Sequence, residues 1–180
     1  MEAQRKALIQ YLSGSSARSR GGVIVLVVCL LTAVFFPSTA ALLVVAMIYA
    51  FCVSLLPAFA RSKLKKRLDA LSEAEITQVL RDFSAAQPVL NDAMRLGSHY
   101  AFGRKTCLYH PYREMARVYQ YVHRTNFIVD RRTLNVCDRG GKVCTLCLLP
   151  RKGANESELN QTVFLLMQKQ PQLQIGYQKK

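Results

Sequence analysis

The stretch FFPSTAA, Phe35 to Ala41, joins two apolar runs that cover residues 22–36 and 40–60. No charged residue occurs between Arg20 and Arg61. Because one charge at the centre of a bilayer costs roughly 2.5–3.5 kcal/mol, a long uncharged stretch is typical of membrane insertion. FFPSTAA therefore decides whether the chain turns back, is cleaved, or continues as one long helix.

The chemistry of this stretch favours a turn. Pro37 disfavours helix at the preceding residue and lacks a backbone donor, while Ser38 and Thr39 can cap a following helix. As helices, the two runs span roughly 22 Å and 31 Å, against a hydrocarbon core of ~30 Å. We predict a two-helix transmembrane hairpin over residues 21–60, with helices at about 21–37 and 40–60. The pattern favours two alternatives less, signal-peptide cleavage at Ala40 and a single kinked helix.

Basic residues flank the predicted hairpin on both sides, whereas the connecting stretch has none. They are Arg5, Lys6, Arg18 and Arg20 before it, and Arg61, Lys63, Lys65, Lys66 and Arg67 after it. Because basic flanks stay on the cytoplasmic side of a membrane, both termini are predicted to be cytoplasmic. The sequence thus predicts a multi-pass protein of the inner cell membrane, with a basic cytoplasmic segment at residues 1–20.

The formal net charge is +14 over 180 residues. A basic surface can bind anionic lipid, an acidic protein or nucleic acid. Beside a membrane anchor we expect the lipid bilayer and its anionic headgroups as partners, because each basic side chain near an anionic leaflet gains roughly 1 kcal/mol. Nucleic acid is less favoured, since no zinc-finger, homeodomain or RNA-binding signature occurs. The candidate contacts to anionic lipid are Arg61, Lys63, Lys65, Lys66 and Arg67.

Residues 61–93 are predicted to form a basic juxtamembrane segment and an amphipathic helix. Ser72 and Glu75 have the spacing of a capping box, in which each residue binds the backbone of the other. The apolar residues that follow fall on one helical face, namely Ile76, Val79, Leu80 and Phe83.

From residue 94 to residue 180 the pattern changes to short runs rich in Tyr, Val, Phe and Thr, separated by turn residues. Such runs are typical of an antiparallel meander, and they cover 97–103, 106–110, 115–123, 126–130, 133–138 and 142–149. Asp138 to Gly141 predicts the clearest hairpin, because glycine tolerates the positive φ of such turns. A C-terminal helix with a capping-box-like start at Asn155 and Glu158, ended by Pro171, is predicted to cover the sheet.

The order of these elements, with the landmarks Asn126-Phe127-Ile128 and Gly176-Tyr177, resembles a group of small bacterial membrane proteins with a pleckstrin-homology-like (PH-like) cytoplasmic domain. The likeness covers residues 96–177. It implies a partly open β-barrel capped by a helix, and it implies no particular activity. The predicted fold is therefore α+β, a transmembrane hairpin followed by a PH-like antiparallel β-barrel or sheet with a C-terminal helical cap.

The cysteines are the residues most suggestive of chemistry. Cys144 and Cys147 form a C-x-x-C pair, but residues three apart on a strand point to opposite faces, where two thiolates cannot share a metal. We interpret them as thiols in a reducing compartment and expect no cofactor. The alternative, a metal- or thiol-dependent redox protein, would use Cys107, Cys137, Cys144 and Cys147.

No catalytic motif accompanies the three histidines, and no phosphate-binding glycine loop occurs. Basic residues at predicted loop tips are the remaining candidates for ligand contacts, namely Arg131, Arg132, Arg139 and Lys142. The sequence therefore predicts a membrane-anchored, non-enzymatic binding or scaffold protein. It would present its PH-like domain to a protein partner or to anionic lipid, and an exposed sheet edge would suit addition of a peptide strand.

Overall fold

In the computed structural model, the described residues are 1–14, 48, 56–125, 128–149 and 156–176. The chain divides into two compact units, one formed by Met1–Gly14 with Leu71–Lys180 and the other by Ser15–Ala70. The first residues of the chain thus belong to the same unit as its C-terminal part.

The described part of the chain contains four α-helices, α1 Glu2–Ser13, α2 Leu56–Asp69, α3 Glu73–Ser84 and α4 Glu156–Lys169. The predicted capping box at the start of α3 is confirmed. The Glu75 amide donates to Ser72 Oγ at 3.3 Å, and the Ser72 amide donates to Glu75 Oε2 at 3.0 Å. This reciprocal pair satisfies two amides that the first turn of a helix leaves without partners.

The described strands form two four-stranded sheets. The first is an antiparallel meander in the order β1-β2-β3-β4, and the second has the order β7-β6-β5-β8, in which only the β5–β8 pairing is parallel. A short 3₁₀ turn, Tyr112–Glu114, joins the sheets. The strands are β1 Gln87–Val89, β2 Met94–Leu96, β3 Tyr100–Gly103, β4 Leu108–Pro111, β5 Met115–Thr125, β6 Ile128–Asp138, β7 Val143–Leu149 and β8 Gln174–Ile175.

One hydrophobic core includes side chains from both sheets and from α4. Val118 of β5, Val136 of β6 and Leu166 of α4 are fully buried in it. Burying a side chain of this size stabilises the fold by roughly 1.5–3 kcal/mol. The core therefore fixes α4 against the second sheet.

Helix α1 packs on the same unit through Tyr11. Its ring lies 5.4 Å from the ring of Phe83 in α3, and the Arg95 guanidinium lies 4.6 Å from the Tyr11 ring centre. The Tyr11 hydroxyl donates to the Asp92 carbonyl at 3.1 Å. The Cys107 amide completes the contact by donating to the Leu12 carbonyl at 2.9 Å.

Gly14 ends α1 with a φ of +67°, the left-handed conformation that glycine adopts without a steric penalty. Its amide donates back to the carbonyls of Gln10 and Tyr11. Sequence reasoning placed these residues in a basic N-terminal segment and did not predict that they pack on the C-terminal part of the chain.

The predicted transmembrane hairpin and the multi-pass inner-membrane location with both termini cytoplasmic are contradicted. Within the described residues, no helix has the length and apolar character needed to cross a bilayer. The last residues of the predicted second span, 56–60, begin α2, which has 14 residues and continues through the basic run to Asp69. Most of the stretch that carried the prediction, residues 21–47 and 49–55, lies outside the described residues.

The predicted fold class is wrong for a second reason. In the described part of the chain the strands lie in two small sheets rather than in a closed barrel. The runs predicted at 126–130 and 133–138 are not separate strands: residues 128–138 form one strand, β6, because Arg131 and Arg132 continue its pairing with β5, while 126 and 127 lie outside the described residues. The hairpin predicted at Asp138 is present, and the Gly141 amide donates to the Asp138 carbonyl at 3.0 Å.

Candidate functional site

An apolar groove of about 390 Å³ lies between α4 and the second sheet. Its floor comes from β5 and β6, one wall from α4, and one end from β8. Phe164 and Ile175 beside it are 59% and 56% exposed, although both are large apolar side chains. The lining residues are Val118, Tyr119, Gln120, Leu134, Leu159, Asn160, Val163, Phe164, Met167 and Ile175.

The spacing of residues along α4 explains this wall. Leu159, Thr162 and Leu166 are buried in the core, at i, i+3 and i+7. A second stripe, at positions 160, 163, 164 and 167, follows the same helical period and lines the groove. The apolar surface of α4 is therefore wider than its packing on the core requires.

The groove runs beside an open edge of β5. On one side β5 pairs with β6 from Met115 to Thr125, whereas on the other side β8 pairs with it only at Arg117 and Val118. No other described strand pairs with β5 on that second side. At Gln120 and Val122 this side of β5 therefore has no strand beside it within the described residues.

Successive residues of β5 direct their backbone amides and carbonyls alternately towards β6 and towards the open side. The Val118 carbonyl accepts a bond from the Gly176 amide at 3.0 Å, so the peptide groups of Val118 point away from β6. Backbone direction alternates along a strand, so the amides and carbonyls of Gln120 and Val122 point the same way. These groups form a row along the groove that can pair with another strand.

The ligand-loop candidates are not brought together. Arg131 and Arg132 lie within β6, whereas Arg139 and Lys142 lie in the turn between β6 and β7, roughly 20 Å away along an extended strand. The Arg139 guanidinium donates to Gln172 Oε1 at 3.2 Å. The Lys142 amide donates to Asp138 Oδ1 at 2.8 Å. A shared ligand role for these four residues stays a prediction.

The candidate lipid contacts all lie on α2, in the other unit. Lys63, Lys65, Lys66 and Arg67 are exposed, and Arg61 is half-buried. Leu64 and Leu68, one turn apart, are buried. The assignment of the basic residues to anionic headgroups stays a prediction.

A separate polar recess of about 300 Å³ lies near the β2–β3 loop and includes Glu75, His99, Arg113 and Lys169. Beside it, Asp82 of α3 is only 6% exposed. Its carboxylate accepts the amides of Ser98, His99 and Tyr100 at 2.6, 3.0 and 2.9 Å. These three amides lie in the β2–β3 loop and at the start of β3, so the Asp82 carboxylate holds this segment in place.

The cysteines differ from our prediction in one respect. Cys144 pairs with Val136 and Cys147 pairs with Leu134, so both face the core side of the sheet. A register shift between Leu134 and Asn135 adds one residue to β7 and cancels the expected alternation. In the described residues, no group of three or more His, Cys, Asp or Glu is placed to hold a metal ion, and the four described cysteines form no disulfide.

We expect Cys147 to be the slowest of the described cysteines to react with N-ethylmaleimide. It is fully buried, and burial raises the pKa of its thiol from 9.0 to about 12. That shift lowers the thiolate fraction at neutral pH roughly 1,000-fold. Peptide mapping by mass spectrometry after timed labelling measures the rate, with half-buried Cys144 as the control.

The raised pKa of the Cys147 thiol also determines how folding stability depends on pH. Folding stabilises the neutral thiol, so this contribution to stability is complete below pH 9 and declines as the pH rises from 9 towards 12. Labelling of Cys147 as fast as Cys144 at neutral pH would contradict the burial and would support the redox alternative.

No protein-family model, curated protein or solved structure matches this chain. The likeness to small bacterial proteins with a PH-like domain therefore stays a prediction.

Sequence reasoning named an exposed sheet edge but not its position, and it missed the groove. One signal was available. Phe164 is a large apolar residue next to the stripe that the core uses, and it widens the apolar face of α4. The open edge of β5 had no local signal, because it depends on how far β8 extends along that strand.

Proposed function

We propose that this protein is a non-enzymatic binding domain that takes an extended segment of a protein partner as an added strand beside β5. The observation that carries the proposal is the edge of β5 at Gln120 and Val122, where no described strand pairs with the side away from β6 and which borders the apolar groove. In strand addition, main-chain hydrogen bonds supply affinity and pockets for alternate side chains supply specificity.

The contact with β8 supports this proposal. Gln174 and Ile175 already pair with the same edge in parallel register, so the edge has the geometry to accept a strand. A peptide would continue this pairing at Gln120 and Val122.

The groove and the charge of the chain define the chemistry of the partner. Alternate side chains of an added strand would point towards Val163, Met167 and Leu134, so they should be apolar. The net charge of +14 favours a segment with acidic residues. We therefore expect an extended peptide that combines alternate apolar residues with negative charge.

We expect Val122→Pro to abolish peptide binding and to leave the fold intact. The Val122 amide faces the open edge, so proline removes a donor to the peptide without removing a bond to β6. The probe is a phage-displayed library of random octapeptides, selected on the full-length chain. Val122→Ala keeps the amide and serves as the matched control.

The location of binding is tested with one enriched synthetic peptide. The amides of Gln120 and Val122 should exchange with solvent rapidly in the free protein and slowly in the complex. If no enriched peptide distinguishes the Val122→Ala protein from the Val122→Pro protein, the proposed function is wrong. Equal exchange at both amides with and without peptide would overturn it as well.

A further inference from the structure

Arg132 of β6 lies just beyond the groove floor. It is two residues from Leu134 along β6, and side chains two apart on a strand share a face. In the two ladders Arg132 is opposite Val122 of β5 and Leu149 of β7. Its side chain therefore leaves the sheet on the groove side, in line with the open edge of β5.

The Nε atom of Arg132 is buried and has no hydrogen-bond partner among the described residues. A buried donor on a charged group that lacks an acceptor is costly, and such groups in native structures call for an explanation. Arg132 is thus a cation next to the groove whose Nε donor is unused within the described residues.

The surroundings of Arg132 are also basic. His123, Arg124 and Arg131 lie on the same end of the β5–β6 hairpin and are exposed. Side chains of directly opposite residues point to the same face of a sheet, so Arg131 and His123 leave on the face opposite to Arg132. The two faces can therefore be distinguished by mutation.

Resting on the proposed peptide-binding function, we infer that the bound peptide carries an acidic side chain opposite Val122 and that Arg132 binds it. A peptide residue paired with Val122 projects on the face that Val122 and Arg132 share. Its Cα lies two strand spacings from that of Arg132, roughly 10 Å, which an arginine and a glutamate side chain span together. Arg132 as a whole is only half-buried, so a carboxylate can supply its guanidinium with an acceptor in a charge-assisted hydrogen bond.

The test compares a pair of synthetic octapeptides, an enriched sequence and the same sequence with its acidic residue changed to the amide. We expect the amide peptide to bind the full-length protein about tenfold more weakly, measured by fluorescence anisotropy. Arg132→Met should bind both peptides with the same affinity. Arg131→Met, which removes the neighbouring charge on the opposite face, should keep the full preference.

The outcomes separate this inference from the proposed function. Peptides that protect Gln120 and Val122 but show no preference for the acidic form would overturn the role of Arg132 alone. A preference that survives in Arg132→Met would do the same. Failure to select any peptide that depends on the β5 edge would instead remove the proposed function itself. If Arg132→Met does not fold, Arg132→Gln provides the same comparison with a polar side chain.

Discussion

Asp82→Ala should lower the free energy of unfolding by about 3 kcal/mol, because it removes the acceptor of three backbone amides at a buried position. Asp82 is 6% exposed, and its carboxylate accepts the Ser98 amide on one oxygen and the His99 and Tyr100 amides on the other. A methyl group at Gly97 would collide with this carboxylate, so the loop is built closely around it. Urea unfolding of the full-length chain, followed by circular dichroism, measures the change.

Two further variants make this prediction specific. Asp82→Asn preserves the shape but places an amide nitrogen, a donor, against backbone donors, so it should still cost about 2 kcal/mol. Gln78→Ala changes an exposed residue of the same helix and should stay within about 0.5 kcal/mol of the parent protein. Loss of less than 1 kcal/mol in Asp82→Ala would show that solvent replaces the carboxylate at roughly no cost.

Tyr11→Ala should destabilise the first unit by about 2–4 kcal/mol and detach α1 from it. The change removes the ring contact with Phe83, the stacking beneath Arg95 and the hydrogen bond to the Asp92 carbonyl. Hydrogen exchange reports the detachment directly. The Cys107 amide, which donates to the Leu12 carbonyl at 2.9 Å, should lose its protection.

Tyr11→Phe is the matched control, because it keeps the ring contacts and loses only the hydroxyl bond, which costs about 1 kcal/mol. Burial, with a smaller effect of the Asp92 carboxylate, raises the pKa of the Tyr11 hydroxyl above 10.0. The neutral hydroxyl is therefore favoured in the folded state, and this contribution to stability is complete below pH 10 and declines above it. Unchanged protection of Cys107 in Tyr11→Ala would mean that other residues hold α1.

The features that sequence predicted correctly depend on neighbours in the chain. The capping box joins residues three positions apart, and the Asp138 turn joins two strands through a few residues. The end of α4 before Pro171 is local in the same sense, since proline cannot continue a helix. In each case the residue types alone specify the backbone geometry.

The features that sequence missed depend on tertiary contacts. Arg131 and Arg132 were predicted to lie at a loop tip between two strands, yet pairing with β5 continues through them. The side chains of Cys144 and Cys147 share a face only because of the irregularity in β7. Asp82 lies on an apolar helical face, and its role depends on a loop 16–18 residues away.

The groove combines both kinds of information. The apolar stripe of α4 can be recognised from its period, but the open edge beside it follows from where β8 stops. The predicted membrane hairpin shows how a local hydropathy pattern can mislead. Its hydropathy suggested two complete spans, whereas residues 56–60 belong to a helix with five basic residues.

The docking of α1 also has a consequence for the order of events during synthesis. Tyr11 leaves the ribosome long before its partner Asp92, because 81 positions separate them. At typical elongation rates of 5–20 residues per second, the interval is roughly 4–16 s. During that time the apolar residues Leu8 and Leu12, fully buried in the finished protein, have not yet gained the C-terminal part of their unit. Helix α1 is therefore translated well before its partners and is among the last elements of its unit to reach its native contacts.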